Sequence, residues 1–316
     1  MLIAGEVHTG LLRAPDPVTA DQARRLVDLV VGEPVLVSHR PIAYARSPEI
    51  PVGVDCGLGA AADSRRVRGV GTALQRAAIT GGHVVQGSAV TTLVRGDGSA
   101  RQPWSHYLTR PGVIETLGRT RWDEVAAALG GPDRPGDSLD LGAMAGRVAD
   151  RVQRSASRGG TVRLRANRTR LRWTARFDPG TAATPRVRYS VRSDDLRLLE
   201  LSVPGEQQPP PVPELTALAE DVALHDWLLS TLLEIVGKSA IGAVERRAAL
   251  ERLLPAIDYL LHLWMPAARG DEISAAVWAA LDRRPGFSRQ WDTLVRRIRD
   301  QLSVGAVTAL AAAGPR

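Results

Sequence analysis

Thr161 to Phe177 reads TVRLRANRTRLRWTARF, and Arg186 to Arg192 reads RVRYSVR. Nine arginines and one acidic residue fall between Thr161 and Arg192. They alternate with apolar side chains. Successive side chains of a strand point to opposite faces, so this alternation predicts strands with one packed face and one positive face. Val162 and Leu164 share a face, with Arg163 and Arg165 on the other. After Asn167 the phase slips by one. Thr169, Leu171, Trp173, Ala175 and Phe177 then line one face, and Arg168, Arg170, Arg172, Thr174 and Arg176 the other. A strict period of two cannot run through a slip, which places a turn or bulge near Asn167. Val187, Tyr189 and Val191 alternate with Arg186, Arg188 and Arg192 in a further strand. Asp194-Asp195 turns it, and Leu196 to Val203 makes a last one. The expectation for residues 161–203 is an antiparallel meander of half-buried strands.

Beyond the meander the pattern changes. Residues 204–213, PGEQQPPPVP, read as a stiff, extended linker. From residue 214 to 316 leucines recur at helical spacing, as at Leu215, Leu218, Val222, Leu229, Leu232 and Val236. Pro255 should kink or divide the next helical tract. Asp271 can cap a helix to Arg283, and a further helix runs from Ser288 to about Leu302, with the tail from Val304 extending it. Short connections between such helices predict a small bundle.

Upstream, Leu2 to Leu12 reads as a strand interrupted at Gly10. Thr19 and Gln22 form a capping box for a helix that Gly32 ends. Val35 to Ser38 is a strand, and Pro41 to Asp63 is rich in turn residues. Residues 67–95 read as two strands joined by a tight turn at Gly81-Gly82. Helices follow at Arg121 to Leu129 and Leu139 to Ser155. The chain is therefore expected to be α+β: a strand-rich N-terminal and central region, residues 1–203, followed by a C-terminal helical bundle.

Basic charge is almost all arginine, 40 residues against the single lysine Lys238. A GC-rich genome accounts for part of that skew, given the abundance of alanine, glycine and proline. Placement says more than number. The net charge is +3 over residues 1–160, +6 over residues 161–203 and −2 over residues 204–316. Composition bias would spread the excess; here it is concentrated. No apolar run reaches the roughly 18 residues of a membrane span, and MLIAGEVHTG lacks the features of a secretion signal. The lone Cys56 cannot form an internal disulfide. A cytoplasmic protein is expected.

No strong catalytic, metal or cofactor motif occurs. Gly69-x-Gly71 lacks the third glycine of a dinucleotide loop, and Gly237-Lys238-Ser239 lacks the earlier glycine of a phosphate loop. There is no HExxH or CxxC. Neither a metal nor a cofactor is expected. Cys56, in the turn-like VDCGLG, could act as a nucleophile if His83 or His106 approached it as a base. A buried small residue is the plainer account of it. Trp104, His106, Tyr107 and Arg110 combine rings with hydrogen-bond donors, which suits either a ligand contact or an anchored loop. His225 and Asp226 are neighbours on a helix and read as a partly exposed pair.

The arginine face admits several roles. Like charges at successive positions on one side of a strand repel one another. An acidic partner would relieve that repulsion, and so would nucleic-acid phosphates or the acidic helical bundle of this same chain. Plain solvation is the remaining case. The candidate interface residues are Arg163, Arg165, Arg168, Arg170, Arg172, Arg176, Arg186, Arg188 and Arg192. Stacking platforms for single strands expose aromatics, whereas Trp173, Phe177 and Tyr189 are assigned to the packed face. That favours a protein partner over nucleic acid, with an enzyme built on Cys56 as a third reading.

Several phrases together resemble an uncharacterised family of actinobacterial proteins of about this length. They are GEVHTGLL (Gly5–Leu12), SHRPIAYARSPE (Ser38–Glu49), VDCGLG (Val54–Gly59), RGVGTALQRAAITGGHVVQGS (Arg68–Ser88), PWSHYLTRPGVIETLG (Pro103–Gly118) and HDWLLSTLLEIV (His225–Val236). Such proteins are encoded in small gene clusters, some near NTPase-based regulatory or defence systems. The resemblance implies a component of a multiprotein assembly and assigns no active site.

Overall fold

Leu2–Leu11 forms strand β1, and every residue from Leu2 to Val7 is buried. A strand buried on both faces belongs inside a sheet that has layers on both sides. The computed structural model describes residues 1–39, 41–59, 67–96, 98, 100–118, 121–131, 138–157, 164–178, 185–204, 211–239, 246–266 and 271–312. After β1 come α1 (Ala20–Val27), β2 (Leu36–Ser38), β3 (Tyr44–Arg46), β4 (Ile50–Gly57), β5 (Arg68–Thr80) and β6 (Val84–Arg95). Then follow α2 (Trp104–Leu108), β7 (Val113–Leu117), α3 (Trp122–Gly130) and α4 (Leu141–Ala156). The arginine-rich strands are β8 (Thr169–Asp178), β9 (Arg186–Val191) and β10 (Leu196–Pro204). The C-terminal helices are α5 (Val212–Lys238), α6 (Arg246–Tyr259), α7 (Glu272–Arg283) and α8 (Phe287–Ala312).

All ten described strands join one mixed sheet in the order β2-β3-β5-β7-β6-β1-β8-β10-β9, with β4 paired to β5. A C-terminal helical bundle follows it in the chain, as the sequence patterns require. The β5–β6 hairpin turns at Gly81 and Gly82, whose positive φ values of 59° and 69° match the tight turn expected there. The hairpin pairs from its turn as far as Leu74 opposite Val90 and then splays. β7 fills the opening, antiparallel to β5 and parallel to β6. Thr72 and Thr91 seal the junction: the Thr72 hydroxyl accepts from the Gly112 N–H, and the Thr91 hydroxyl donates toward the Thr72 and Gly112 carbonyls.

The strands of residues 169–204 are not an antiparallel meander. β10 pairs antiparallel with β9 but parallel with β8, and it lies between them. Burial explains the order. Leu198, Leu199, Leu201 and Val203 of β10 are all buried, which requires an interior position. In β9 the exposed arginines suit the end of the sheet. The phase slip also has a structural form: β8 begins only at Thr169, and the Trp227 indole N–H donates to the Asn167 carbonyl at 2.9 Å.

Three further expectations needed revision. The turn-rich stretch from Pro41 contains β3 and β4; Pro51 is tolerated because, among the described strands, β4 pairs only with β5, its other side meeting just the bridge from Ser138 to Gly57. α1 stops at Val27, well before Gly32, although its capping box is present as read. Of the two outcomes expected at Pro255, a kink or a division, division does not occur, since α6 runs through it.

Helices cover both faces of the sheet. α1, α3 and α4 pack on one face, where Leu2, Ala4, Ala89 and Leu93 meet Val125, Leu129, Leu141 and Ala145. The bundle packs on the other, where one apolar core joins Ile3, Val7, Leu171, Trp173, Leu199 and Leu201 to α5, α6, α7 and α8. Gly142 and Gly146, one turn apart on α4, let that helix lie against Glu6 and His8 of β1. A Cβ on Gly142 would stand 2.5 Å from the Glu6 carboxylate.

Charge is also buried between sheet and bundle. Arg76 of β5 is held by Glu220 of α5 through two contacts of 2.8 and 2.9 Å, and by Glu49 at 3.0 Å. Ser88 donates to Glu220 at 2.6 Å. Burial pushes the Glu220 carboxyl up, but the Arg76 guanidinium outweighs it and holds the group ionised. Replacing Glu220 with leucine alone should therefore cost about 3–5 kcal/mol, since it removes most of the countercharge from a buried guanidinium. Adding Arg76→Met should restore much of that loss. Urea denaturation of the two variants checks this, and equal stabilities would contradict it.

Candidate functional site

On β8 the residues alternate as the sequence predicts. Leu171, Trp173 and Ala175 join the bundle-side core, and the arginines face α3 and α4. What differs is their environment, because helices from the N-terminal half lie over the positive face. Arg172 is buried there, with Nε 3.0 Å from Glu6 of β1 and a further hydrogen bond to the Gly131 carbonyl. Arg168 reaches Asp150 of α4 at 2.7 Å, and Arg176 reaches Asp123 of α3 at 2.6 Å. Arg170 meets Asp195 at 2.8 Å. A groove of about 600 Å³ remains between β8 and α4, and the half-buried Arg168 and Arg170 and the exposed Arg147 line it with Asp140 and Asp150.

The remaining arginines are placed differently. Arg186, Arg188 and Arg192 lie on and beside β9 at the end of the sheet and are exposed, as is Arg165 before β8. Arg188 is 78% exposed and only 3.5 Å from Glu200. Arg165, Arg186 and Arg192 make no side-chain ion pair among the described residues. Arg163 lies outside the described residues. The sequence-predicted face is thus brought together as two groups: a β8 group paired with acids of β1, α3, α4 and the turn at Asp195, and an exposed β9 group.

Trp104, His106, Tyr107 and Arg110 do cluster. Trp104 and His106 meet the buried Tyr107 edge-on, at 5.8 and 5.1 Å. His106 and Arg110 both reach Glu115 of β7, at 2.9 and 3.3 Å. Their contacts anchor α2 to the sheet. Cys56 is half-buried and packs against the core on the face covered by α3 and α4. Trp104 lies over Gly53, and neighbouring strand positions alternate in face, so the α2 cluster covers the opposite side of β4. His83 follows the far end of β5, roughly 40 Å from Cys56 at about 3.3 Å per residue. The structure therefore brings Cys56 to neither histidine. His83 instead meets Tyr259 at 4.6 Å and His262 at 6.2 Å.

Sequence reading missed the charged contacts of α5. His225 and Asp226 are both buried, not partly exposed. Asp226 takes the Arg197 Nε at 2.7 Å and the Tyr189 hydroxyl at 2.5 Å. Burial raises the Asp226 carboxyl, against the opposing pull of Arg197. His225 helps line a half-open cavity of about 350 Å³ with Tyr44, Arg46, Glu220 and Leu263. Its Nδ1 donates to the Asp221 carbonyl at 2.7 Å and its Nε2 accepts from the Met265 N–H at 3.1 Å. A carbonyl can only accept and an N–H can only donate, so both bonds require the neutral ring. The only signal in the sequence was an apolar helix carrying ionisable residues on several faces.

Among the described residues, no group of three or more histidine, cysteine, aspartate or glutamate side chains could hold a metal ion, and no helix is long and apolar enough to cross a membrane. No family model, curated protein or solved structure matches the chain.

Burial lowers His225 from an ordinary 6.5 to about 4. The unfolded chain then binds more protons than the folded one between those values, so stability present above pH 6.5 is lost as pH falls toward 4. His83, also lowered to about 4, acts in the same direction. A His225→Gln variant should be less stable at neutral pH yet lose less between pH 6.5 and 4.5 than the parent, on the order of 2 kcal/mol less. Urea midpoints across that range measure the difference.

Proposed function

We propose that this chain is a non-catalytic binding component that docks an acidic protein partner at the β9 end of its sheet. One observation carries the reading. Arg168, Arg170, Arg172 and Arg176 have acidic partners within the chain, whereas Arg186, Arg188 and Arg192 are exposed, Arg188 meeting Glu200 only at 3.5 Å and the other two having no ion pair among the described residues. Guanidinium groups suit such a role because they are weakly hydrated and engage carboxylates with two parallel hydrogen bonds. Phosphate would satisfy them too. However, Trp173 and Tyr189 are packed toward the bundle and offer no stacking surface to bases, which supports a protein partner. The resemblance to proteins encoded in small gene clusters makes acidic products of neighbouring genes the first partners to test.

Reversing charge at Arg186, Arg188 and Arg192 to glutamate should weaken that association at least about tenfold and reduce its salt dependence. Arg172→Met should instead lower folding stability, because it leaves Glu6 buried without its guanidinium. Binding isotherms at several salt concentrations, with urea denaturation of each variant, separate the two groups. Unchanged affinity in the triple variant would remove the role. Tight, arginine-dependent binding of a DNA duplex at low salt would replace the protein partner with nucleic acid.

A further inference from the structure

The hydrogen-bond phase of β9 gives its open side a definite chemistry. The Arg192 N–H donates to the Leu196 carbonyl at 2.9 Å, and the same register pairs Ser190 with Leu198, Arg188 with Glu200 and Arg186 with Ser202. In an antiparallel pair, directly opposed residues alternate between hydrogen-bonded and non-hydrogen-bonded positions. The even-numbered residues therefore bond to β10. Val187, Tyr189 and Val191 turn their N–H and C=O groups away from it. Among the described strands β9 pairs with β10 alone, so this outward row meets no other strand. The other edge of β10 agrees in phase, since the Asp195 carbonyl accepts from the Arg170 N–H at 2.6 Å.

We infer that β9 accepts an extended acidic segment of a partner protein as an added antiparallel strand, with acidic side chains at alternate positions opposite Arg186, Arg188 and Arg192. The inference rests on the docking role proposed above and states its geometry. A strand added to the open side would bond to Val187, Tyr189 and Val191. The arginines would then occupy non-hydrogen-bonded positions, where cross-strand side chains approach most closely. β10 already shows the complementary choice on the inner side, where Glu200 opposes Arg188 across a hydrogen-bonded pair and reaches it only at 3.5 Å. An acidic residue on the outer side would come nearer. Val191, 59% exposed, offers apolar contact for the intervening residues of the incoming strand.

A second copy of this chain fits poorly. Antiparallel pairing of two β9 edges about Tyr189 sets Arg186 of one copy opposite Arg192 of the other, and directly opposed like charges are destabilising. The same arginines thus block self-pairing and select an acidic strand.

The test uses the full chain and a synthetic peptide with glutamate at alternate positions, valine and serine between them. The control peptide has the same composition with its glutamates contiguous. Residue-resolved amide exchange should slow at Val187, Tyr189 and Val191 by at least about tenfold on adding the alternating peptide. Arg188 and Ser190 amides, already bonded to β10, should not change. A Val191→Pro variant removes one outward N–H at a position where an edge strand tolerates proline. It should weaken the alternating peptide and leave the control peptide unaffected. Arginine-dependent binding without protection of the three amides would overturn strand addition and leave docking standing. If neither peptide binds and the triple glutamate variant retains its gene-cluster partners, both proposals fall.

Discussion

Two carboxylates of α5 fix how the bundle meets the sheet. Glu220 takes Arg76 from β5, and Asp226 takes Arg197 from β10. Those strands flank β6, β1 and β8, over which α5 packs. An apolar helix face can slide on an apolar sheet with little penalty, because hydrophobic contact is non-directional. A buried guanidinium in the same interface cannot slide away from its acceptor, since an unpaired buried charge is far more costly than a lost contact. The two arginines therefore act as stops on either side of the helix. The positions of α6, α7 and α8, which share a core with α5, follow from that placement.

The sheet's other face is set by the same principle with different partners. Glu6 and Arg172 link β1 to β8 beneath α4, and the small residues Gly142 and Gly146 admit the helix that covers them. Thus the same arginine alternation yields a buried brace at Arg172 and half-buried ion pairs beside it on β8, but exposed cations on β9 at the end of the sheet. Residue type does not decide between these outcomes. Neighbouring strands and the helices above them do.

Local patterns carried much of the fold. Alternation marked β8 and β9, the phase slip marked the start of β8, paired glycines marked the hairpin, and Thr19 with Gln22 marked the first turn of α1. Each of these is written within a few residues of chain. What escaped sequence reading depends on partners far away. β3 and β7 are too short to show a period, and β7 exists as a strand because the β5–β6 hairpin opens to receive it. The parallel pairing of β10 with β8 required knowing which strand ends the sheet. Arg172 and Arg186 look alike in sequence, and only their partners 166 residues apart, or absent among the described residues, tell them apart. The cluster around Tyr107 was visible as composition, but its function as an anchor emerged from Glu115, which lies on the strand that the sequence did not reveal.

The central position of β1 has a consequence for how the chain is made. Its neighbour β6 is complete by residue 95, whereas its other neighbour, β8, ends at residue 178. At about 5–20 residues per second, the ribosome needs roughly 4–17 s to add the intervening stretch. During that interval a strand destined for the middle of the sheet is an open edge, and Glu6 awaits a guanidinium not yet synthesised. In that state the chain carries an unpaired strand edge, which β8 covers when it closes the sheet.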